Sequence, residues 1–180
     1  MIPLVTLTRE PLQMLKVDAI GYGAKATGEM GGGAAAAVLT AAGPEILNAL
    51  RSKLVGLPLR VGEVVVTPAF NLEAVGVRLV LHIISIIKNT PQGAYCPQPD
   101  RLRDGVCTAL KLAAQAGTRS VAISALGTGE GRVEPRIAAR YMLDGVRAYQ
   151  QTGPRAELAV SFSLPSYRDY EAFAAVIHNQ

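Results

Sequence analysis

The sequence predicts one α/β domain in which a largely parallel sheet lies between layers of helices. Segments with strand character alternate with segments of helical periodicity along the 180 residues, as they do in folds of this class. Residues 77–87 are apolar on both faces, which is typical of a strand in the middle of a layered sheet. With 49% apolar residues the chain can bury a core, and its length fits a single domain over residues 1–180.

Six segments have the composition of strands, because they are short, apolar and bounded by turn residues. They cover residues 4–7, 18–21 (the end of a strand), 61–68, 77–87, 120–125 and 156–163. In parallel α/β sheets, ligands bind beyond the carboxyl ends of the strands. The loops that follow these segments are therefore the first places to look for a site.

Five segments are predicted to be helices: residues 32–42, 45–53, 101–116, 134–149 and 167–178. The first stops at Gly43-Pro44, a pair that terminates helices. The third places Leu102, Val106 and Leu110 at helical spacing. Residues 89–100 contain three prolines and are predicted to form a loop.

Composition excludes several classes of protein. The net charge of +4 and the pI of 9.3 favour anionic partners mildly, but the basic residues are scattered. Two cysteines make no disulfide framework, and the two histidines lie far apart, so neither a zinc site nor a cofactor is expected. The longest apolar stretch is shorter than the roughly 18 residues of a membrane span. The start of the chain lacks a signal-peptide pattern, so a cytoplasmic protein is expected.

The first glycine-rich loop is Gly28-Glu29-Met30-Gly31-Gly32-Gly33, and it leads into an alanine-rich helix. Glycines let the backbone approach a ligand closely, and the amide groups and dipole of a helix start favour an anion. The segment could equally be a flexible turn before a tightly packed helix.

The second loop is Leu126-Gly127-Thr128-Gly129-Glu130-Gly131-Arg132, directly after a predicted strand. Its glycines permit a nest of amides around a phosphate, and the threonine adds a hydroxyl. An ordinary strand-to-helix turn is the alternative, but two such loops in one domain favour a phosphate site. Neither loop matches the P-loop or the dinucleotide-binding fingerprint.

Together these segments resemble the macro domain family of ADP-ribose-binding modules. The blocks that match, in order, are Val17-Asp18-Ala19-Ile20, Gly31-Gly32-Gly33 with the alanines after it, Ala42-Gly43-Pro44, residues 62–72, Val80-Leu81-His82 and residues 124–131. The resemblance covers nearly the whole chain and implies a three-layer α/β/α fold with a mixed, largely parallel central sheet. It also implies that the two loops clasp the diphosphate of ADP-ribose. The residues that take this role are Gly31, Gly32, Gly33, Gly127, Thr128, Gly129, Glu130 and Gly131.

The chain departs from the family at both ends of that ligand. The family's Asn-Ala-Ala-Asn falls on Tyr22-Gly23-Ala24-Lys25, so Lys25 replaces the asparagine that orients the distal ribose in hydrolysing members. Lysine adds a positive charge but cannot accept a hydrogen bond from a hydroxyl. The acid that reads adenine falls near Pro11, and the adjacent Glu10 is the candidate to substitute for it.

Other residues have two interpretations each. Tyr22 stacks on a base or ribose, or fills a pocket that the family leaves open. Arg132, with Arg136 and Arg140 at helical spacing, forms a basic stripe beside the phosphate site or a solvated helix face. Asp18 is a general base or serves a turn, and His82 is catalytic or a core histidine bonded to backbone.

The expected function is binding of ADP-ribose or a related nucleotide diphosphate. Any chemistry would be hydrolysis of an ADP-ribose ester or glycosidic bond, with an attacking water positioned by Lys25 or Glu130. One alternative is a non-enzymatic module that reads nucleotides or RNA through phosphate contacts. Another is a degenerate assembly module in which Tyr22 and Lys25 close the pocket.

Overall fold

The computed structural model describes residues 5–54, 56, 59–88, 90–91, 93–152 and 158–179. Residues 4, 89, 92, 156 and 157, which belong to predicted segments, lie outside the described residues. The described strands form one sheet in the order β1-β6-β5-β2-β4-β3. They are β1 (Val5–Thr8), β2 (Ala19–Lys25), β3 (Val64–Pro68), β4 (Leu79–Ile86), β5 (Ser120–Ser124) and β6 (Ala159–Ser163). Neighbouring strands are parallel except β3 and β4, which confirms a mixed, largely parallel sheet.

Helices cover both faces of this sheet. They are α1 (Gly33–Ala42), α2 (Glu45–Leu54), α3 (Leu102–Gln115), α4 (Pro135–Gln150) and α5 (Tyr167–His178). Apolar residues of α1 and α2 form one buried cluster with one face of the sheet, and those of α3, α4 and α5 form a second cluster with the other. The arrangement has three layers, as predicted.

The surroundings of strand β4 explain why its residues are apolar on both faces of the sheet. Successive side chains of a strand point to opposite faces of the sheet. Leu81 and Ile83 accordingly join the cluster of α3–α5, while Val80 and Ile84 join that of α1 and α2. All four side chains are fully buried.

Some boundaries differ from the predicted ones. Strand β2 continues beyond the predicted end at residue 21 to Lys25, because two glycines interrupt its apolar pattern without ending the strand. Strand β3 begins at Val64, since Gly62 has a φ of 92° and belongs to a turn. Short 3-10 turns that the sequence analysis missed lie at Leu12–Met14, Phe70–Val75 and Pro99–Arg101.

The topology brings the two glycine-rich loops together. Strands β2 and β5 are parallel neighbours, with Gly21 opposite Ile123, so the loops that follow them meet at one edge of the sheet. On its other side β2 pairs with β4, where the register shifts: Ala24 lies opposite Ile84, but Lys25 lies opposite Ile86. The carboxyl edge of the sheet is therefore formed by the ends of adjacent strands, with a glycine-rich loop after two of them.

Candidate functional site

Two adjoining cavities open at this carboxyl edge. The first, here the lysine cavity, has a volume of about 320 Å³. Its lining includes Lys25, Glu29, Gly32, Gly127 and Glu130. The second, here the aspartate cavity, has a volume of about 410 Å³, and its lining includes Pro11, Gln13, Thr128, Ser166 and Asp169. Both cavities are also lined by Gly33, Ala34, Ser124, Ala125 and Gly129, so they are the two ends of one cleft.

The second loop offers a run of free amide donors to this cleft. Within the described chain, the backbone N–H groups of residues 127–131 have no protein acceptor. The loop is nevertheless held in shape, because the amides of Arg132 and Val133 donate to the carbonyls of Gly129 and Gly127, both at 3.0 Å. Gly127 has a φ of 76°, which only glycine adopts readily. Free amides in a preformed loop are the arrangement found in the anion-binding nests of other proteins.

The first loop leads into the amino end of α1 at the same cleft. Gly32 is the N-cap residue of α1, and no side chain caps the helix. The first amides of a helix have no partner inside it, so these donors are open to an anion. Gly32 and Gly33 line the cleft, whereas Gly31 is exposed and lines neither cavity. The first loop thus contributes two of its three predicted glycines.

Lys25 joins the two loops through ion pairs. Its Nζ lies 2.9 Å from Oε2 of Glu130 and 4.0 Å from Oε2 of Glu29. A Cβ added to Gly32 would lie 2.9 Å from Oε1 of Glu130, so the glutamate side chain reaches across to the first loop. Lys88 donates to Glu29 at 2.5 Å, and this hydrogen bond lowers the pKa of the Glu29 carboxyl. One wall of the lysine cavity is therefore a chain of alternating charges.

Tyr22 lies beneath the cleft and not in it. Its side chain is fully buried, and its hydroxyl lies 2.6 Å from Nδ1 of His82. The predicted contact of Tyr22 with a ligand is therefore wrong, whereas the alternative, that it fills a pocket that the family leaves open, stays a prediction. His82 is a core residue, as one interpretation held, but its ring bonds the side chains of Tyr22 and Thr67 and not the backbone. Burial lowers the pKa of His82 to about 3, so its ring is neutral at physiological pH.

Three more predicted contacts lie outside the cleft. Glu10 is exposed, and its carbonyl accepts a hydrogen bond from Ser163 at 2.8 Å; it lines neither cavity, although Pro11 does. Gly131 and Arg132 line a separate surface cavity with Tyr95. Gly131 is still needed next to the nest, since a Cβ there would lie 2.5 Å from the carbonyl oxygen of Gly127.

Asp18 joins the start of β2 to the start of β5 at the opposite edge of the sheet. Its Oδ2 accepts hydrogen bonds from the amides of Arg119 at 2.6 Å and Ser120 at 3.1 Å. The Arg119 amide is the main cause that lowers the pKa of this carboxyl. Because Asp18 precedes β2, whose carboxyl end lies at the cleft, it is not a general base for that site.

Sequence reasoning missed Asp169, in the first turn of α5. Its side chain is only 13% exposed, and it lines the aspartate cavity. The signal available in the sequence, Ser166-x-x-Asp169, is the spacing of a helix cap. It gave no reason to connect Asp169 with Thr128, 41 residues away.

The described residues contain neither a cluster that could hold a metal ion nor a single membrane-spanning helix. No three His, Cys, Asp or Glu side chains among them are grouped so as to hold a metal ion. No single helix there is long and apolar enough to cross a membrane; α1 and α2 meet that test only as a pair, bent by 119°.

Comparison with known proteins identifies the family. The macro domain model matches residues 23–142. A macro domain-containing protein of Streptomyces nogalater is 32% identical, over 94% of this chain and 90% of its own. A macrodomain of Oceanobacillus iheyensis solved with ADPR has a TM-score of 0.81 at 25% identity, over 96% of this chain and 91% of its own. A macrodomain of Trypanosoma brucei solved with ADP-ribose has a TM-score of 0.78 at 25% identity, over 96% of this chain and 68% of its own.

Some of the curated relatives are longer, and this chain spans 40–42% of their length. The match of the family model nevertheless covers both loops and the strands β3, β4 and β5 that lie between them in the chain. The chain belongs to the macro domain family.

Proposed function

We propose that this macro domain binds ADP-ribose in the cleft and holds its diphosphate with backbone amides. The observation that carries the proposal is the position of the amide donors. The residues common to both cavities include Gly33 and Ala34 at the start of α1 and Gly129 in the second loop. Donors are thus concentrated in the middle of a cleft that has a chamber at each end. The shape of ADP-ribose matches this cleft, because its diphosphate lies between two larger groups.

The two chambers take the two ends of the ligand. The adenosine half occupies the larger, aspartate cavity, and the distal ribose occupies the lysine cavity. This orientation is supported by Lys25, which stands where the family has the asparagine that orients the distal ribose. The ammonium group of Lys25 adds a charge-assisted contact to the diphosphate, in a pocket whose other donors are neutral amides.

Calorimetric titration with ADP-ribose, ADP and AMP tests the proposal. We expect micromolar binding of ADP-ribose, weaker binding of ADP and weakest binding of AMP, because each step removes a group that the cleft contacts. Equal affinity for ADP and ADP-ribose would show that the lysine cavity does not hold the distal ribose. No heat and no thermal shift with any of the three would overturn the proposal and direct attention to RNA or assembly.

Hydrolysis of an ADP-ribose derivative is a second candidate activity, favoured by the pair of Lys25 and Glu130. The carboxylate of Glu130, 2.9 Å from the Lys25 ammonium group, can accept a proton from an attacking water. In the proposed step, a water oxygen bonds to C1″ of the distal ribose while the bond from C1″ to an ester oxygen breaks. The leaving group departs as a carboxylate, and Glu130 accepts the proton from the water.

Glu130→Gln separates this step from binding. The amide keeps the size of the side chain but cannot take a proton, so turnover of an ADP-ribosyl ester is expected to fall by about 100-fold or more. ADP-ribose should still bind, since the loop amides remain. Turnover equal to that of the original protein would exclude Glu130 as the base, and absence of turnover in the original protein would leave a binding module.

A further inference from the structure

A buried carboxylate oxygen in the aspartate cavity lacks a hydrogen bond. Oδ2 of Asp169 accepts from the hydroxyl of Thr128 at 3.1 Å. Oδ1 is buried and has no hydrogen-bond partner within the described chain; its ion-pair partner, Nε of Arg168, is 3.6 Å away. Buried acceptors without a hydrogen bond are uncommon in folded proteins and call for an explanation.

Helix capping does not explain this carboxylate. Ser166 is the N-cap of α5, and its hydroxyl accepts from the amide of Asp169. In a complete capping box, the acid would return a hydrogen bond to the amide of the N-cap residue. Within the described chain, Asp169 makes no such bond and turns its carboxylate to Thr128 instead. The side chain is therefore directed to the second loop and its cavity.

The position of Asp169 along the cleft indicates which part of a ligand it meets. Thr128 lines only the aspartate cavity, while its neighbour Gly129 lines both. Asp169, which contacts Thr128, thus lies on the aspartate-cavity side of Gly129, where the nucleoside is placed. The group attached to the phosphate at that point of a nucleotide is its ribose.

Resting on the proposed function, we propose that Asp169 accepts hydrogen bonds from the ribose hydroxyls of the nucleoside half and makes the cleft selective for ribonucleotides over deoxyribonucleotides. Carboxylates bind ribose hydroxyls in this way at other nucleotide sites. The Arg168 side chain next to Oδ1 is 66% exposed and donates a hydrogen bond to the carbonyl of Thr128 at 3.1 Å, so moving it aside breaks that bond but leaves no cavity in the core. A ribose hydroxyl then supplies the donor that Oδ1 lacks.

The test compares ADP with 2′-deoxy-ADP and 3′-deoxy-ADP by calorimetry. The original protein is expected to bind ADP about tenfold or more tightly than at least one deoxy form, as loss of a hydrogen bond to a charged group predicts. Asp169→Ala should abolish this preference, and Asp169→Asn should reduce it. Glu171→Gln, an exposed carboxylate on the same helix, should leave it unchanged.

A positioning effect through the loop is distinguished by Thr128→Val. This change removes the hydrogen bond between Thr128 and Asp169 but keeps the carboxylate, so affinity for all three nucleotides falls while the preference for ADP remains. Equal binding of ADP and both deoxy forms by the original protein would overturn the inference and leave the proposed function intact. A preference for ADP over the deoxy forms that survives in a folded Asp169→Ala protein would also overturn the inference. Failure of ADP and ADP-ribose to bind at all would refute both.

Discussion

Gly129 lies where a side chain would enter the cleft without disturbing the protein. A Cβ added there has no protein atom within 4 Å, and the φ of this residue lies outside the left-handed region. Gly129→Val therefore places its Cβ in open space, at a residue that lines both cavities. The folded state should change in stability by no more than about 0.5 kcal/mol, as at other unstrained surface positions.

The effect of Gly129→Val on binding is expected to be large. The added side chain occupies the position assigned to the diphosphate and moves it away from the amides of the second loop. Charge-assisted hydrogen bonds contribute ~1.5–3 kcal/mol each, so losing two of them costs at least ~3 kcal/mol. That corresponds to an affinity for ADP-ribose reduced ~100-fold or more, since 1.4 kcal/mol is a factor of ten.

Calorimetry with ADP-ribose measures this loss, and thermal unfolding shows whether the variant is folded. Gly31→Val is the matched comparison, because Gly31 also has open space around its Cβ and an unstrained φ, but lines neither cavity. We expect the affinity of Gly31→Val for ADP-ribose to lie within about threefold of that of the original protein. This corresponds to a difference in binding free energy of less than about 1 kcal/mol. Unchanged affinity in Gly129→Val, or an equal loss in Gly31→Val, would refute the placement of the diphosphate.

Three further predictions follow from the charged wall and the buried histidine. Lys25→Met should weaken ADP-ribose binding about tenfold at low salt and by less at high salt. Lys88→Met removes only a partner of Glu29 and should leave the affinity unchanged. Calorimetric titrations of both variants at two ionic strengths test this prediction. Tyr22→Phe leaves Nδ1 of His82 without its partner, so urea denaturation should show a loss of about 1–3 kcal/mol with ADP-ribose affinity unchanged. The folded-state pKa of His82 is about 3, below its unfolded value near 6.5, so the unfolded chain binds more protons between these values. The free energy of unfolding should therefore fall by up to ~1.4 kcal/mol per unit as pH drops from 6.5, and a His82→Gln protein should show a flatter profile.

The strands, helices and loops were largely predictable, because each carries a local pattern. Residues 77–87 are apolar on both phases, and the helix after Gly33 stops at a glycine-proline pair. The expectation that both loops reach one edge of the sheet needed only the rule for parallel strands. Resemblance to the macro domain family supplied the mixed sheet, which no local pattern contains.

Individual contacts were less predictable, because they depend on register and on distant elements. Tyr22 is buried because it lies directly opposite His82 across β2 and β4, a pairing that the sequence does not state. Glu10 was favoured for its nearness in sequence to Pro11, yet a shift of one residue in an extended segment turns a side chain to the opposite side. Asp169 meets Thr128 only because α4 and β6 return the chain to the second loop.

The free amides of the second loop also make the site visible to hydrogen exchange. An amide without an acceptor exchanges with solvent at the rate of its local exposure, whereas the amides of the sheet exchange only when the structure opens. A bound diphosphate would slow exchange over residues 127–130 and at the start of α1. The amides of Arg132 and Val133 already donate to Gly129 and Gly127 and so provide a slow-exchanging reference within the same stretch of chain. Ligand contact with the nest can thus be mapped amide by amide in the unaltered protein.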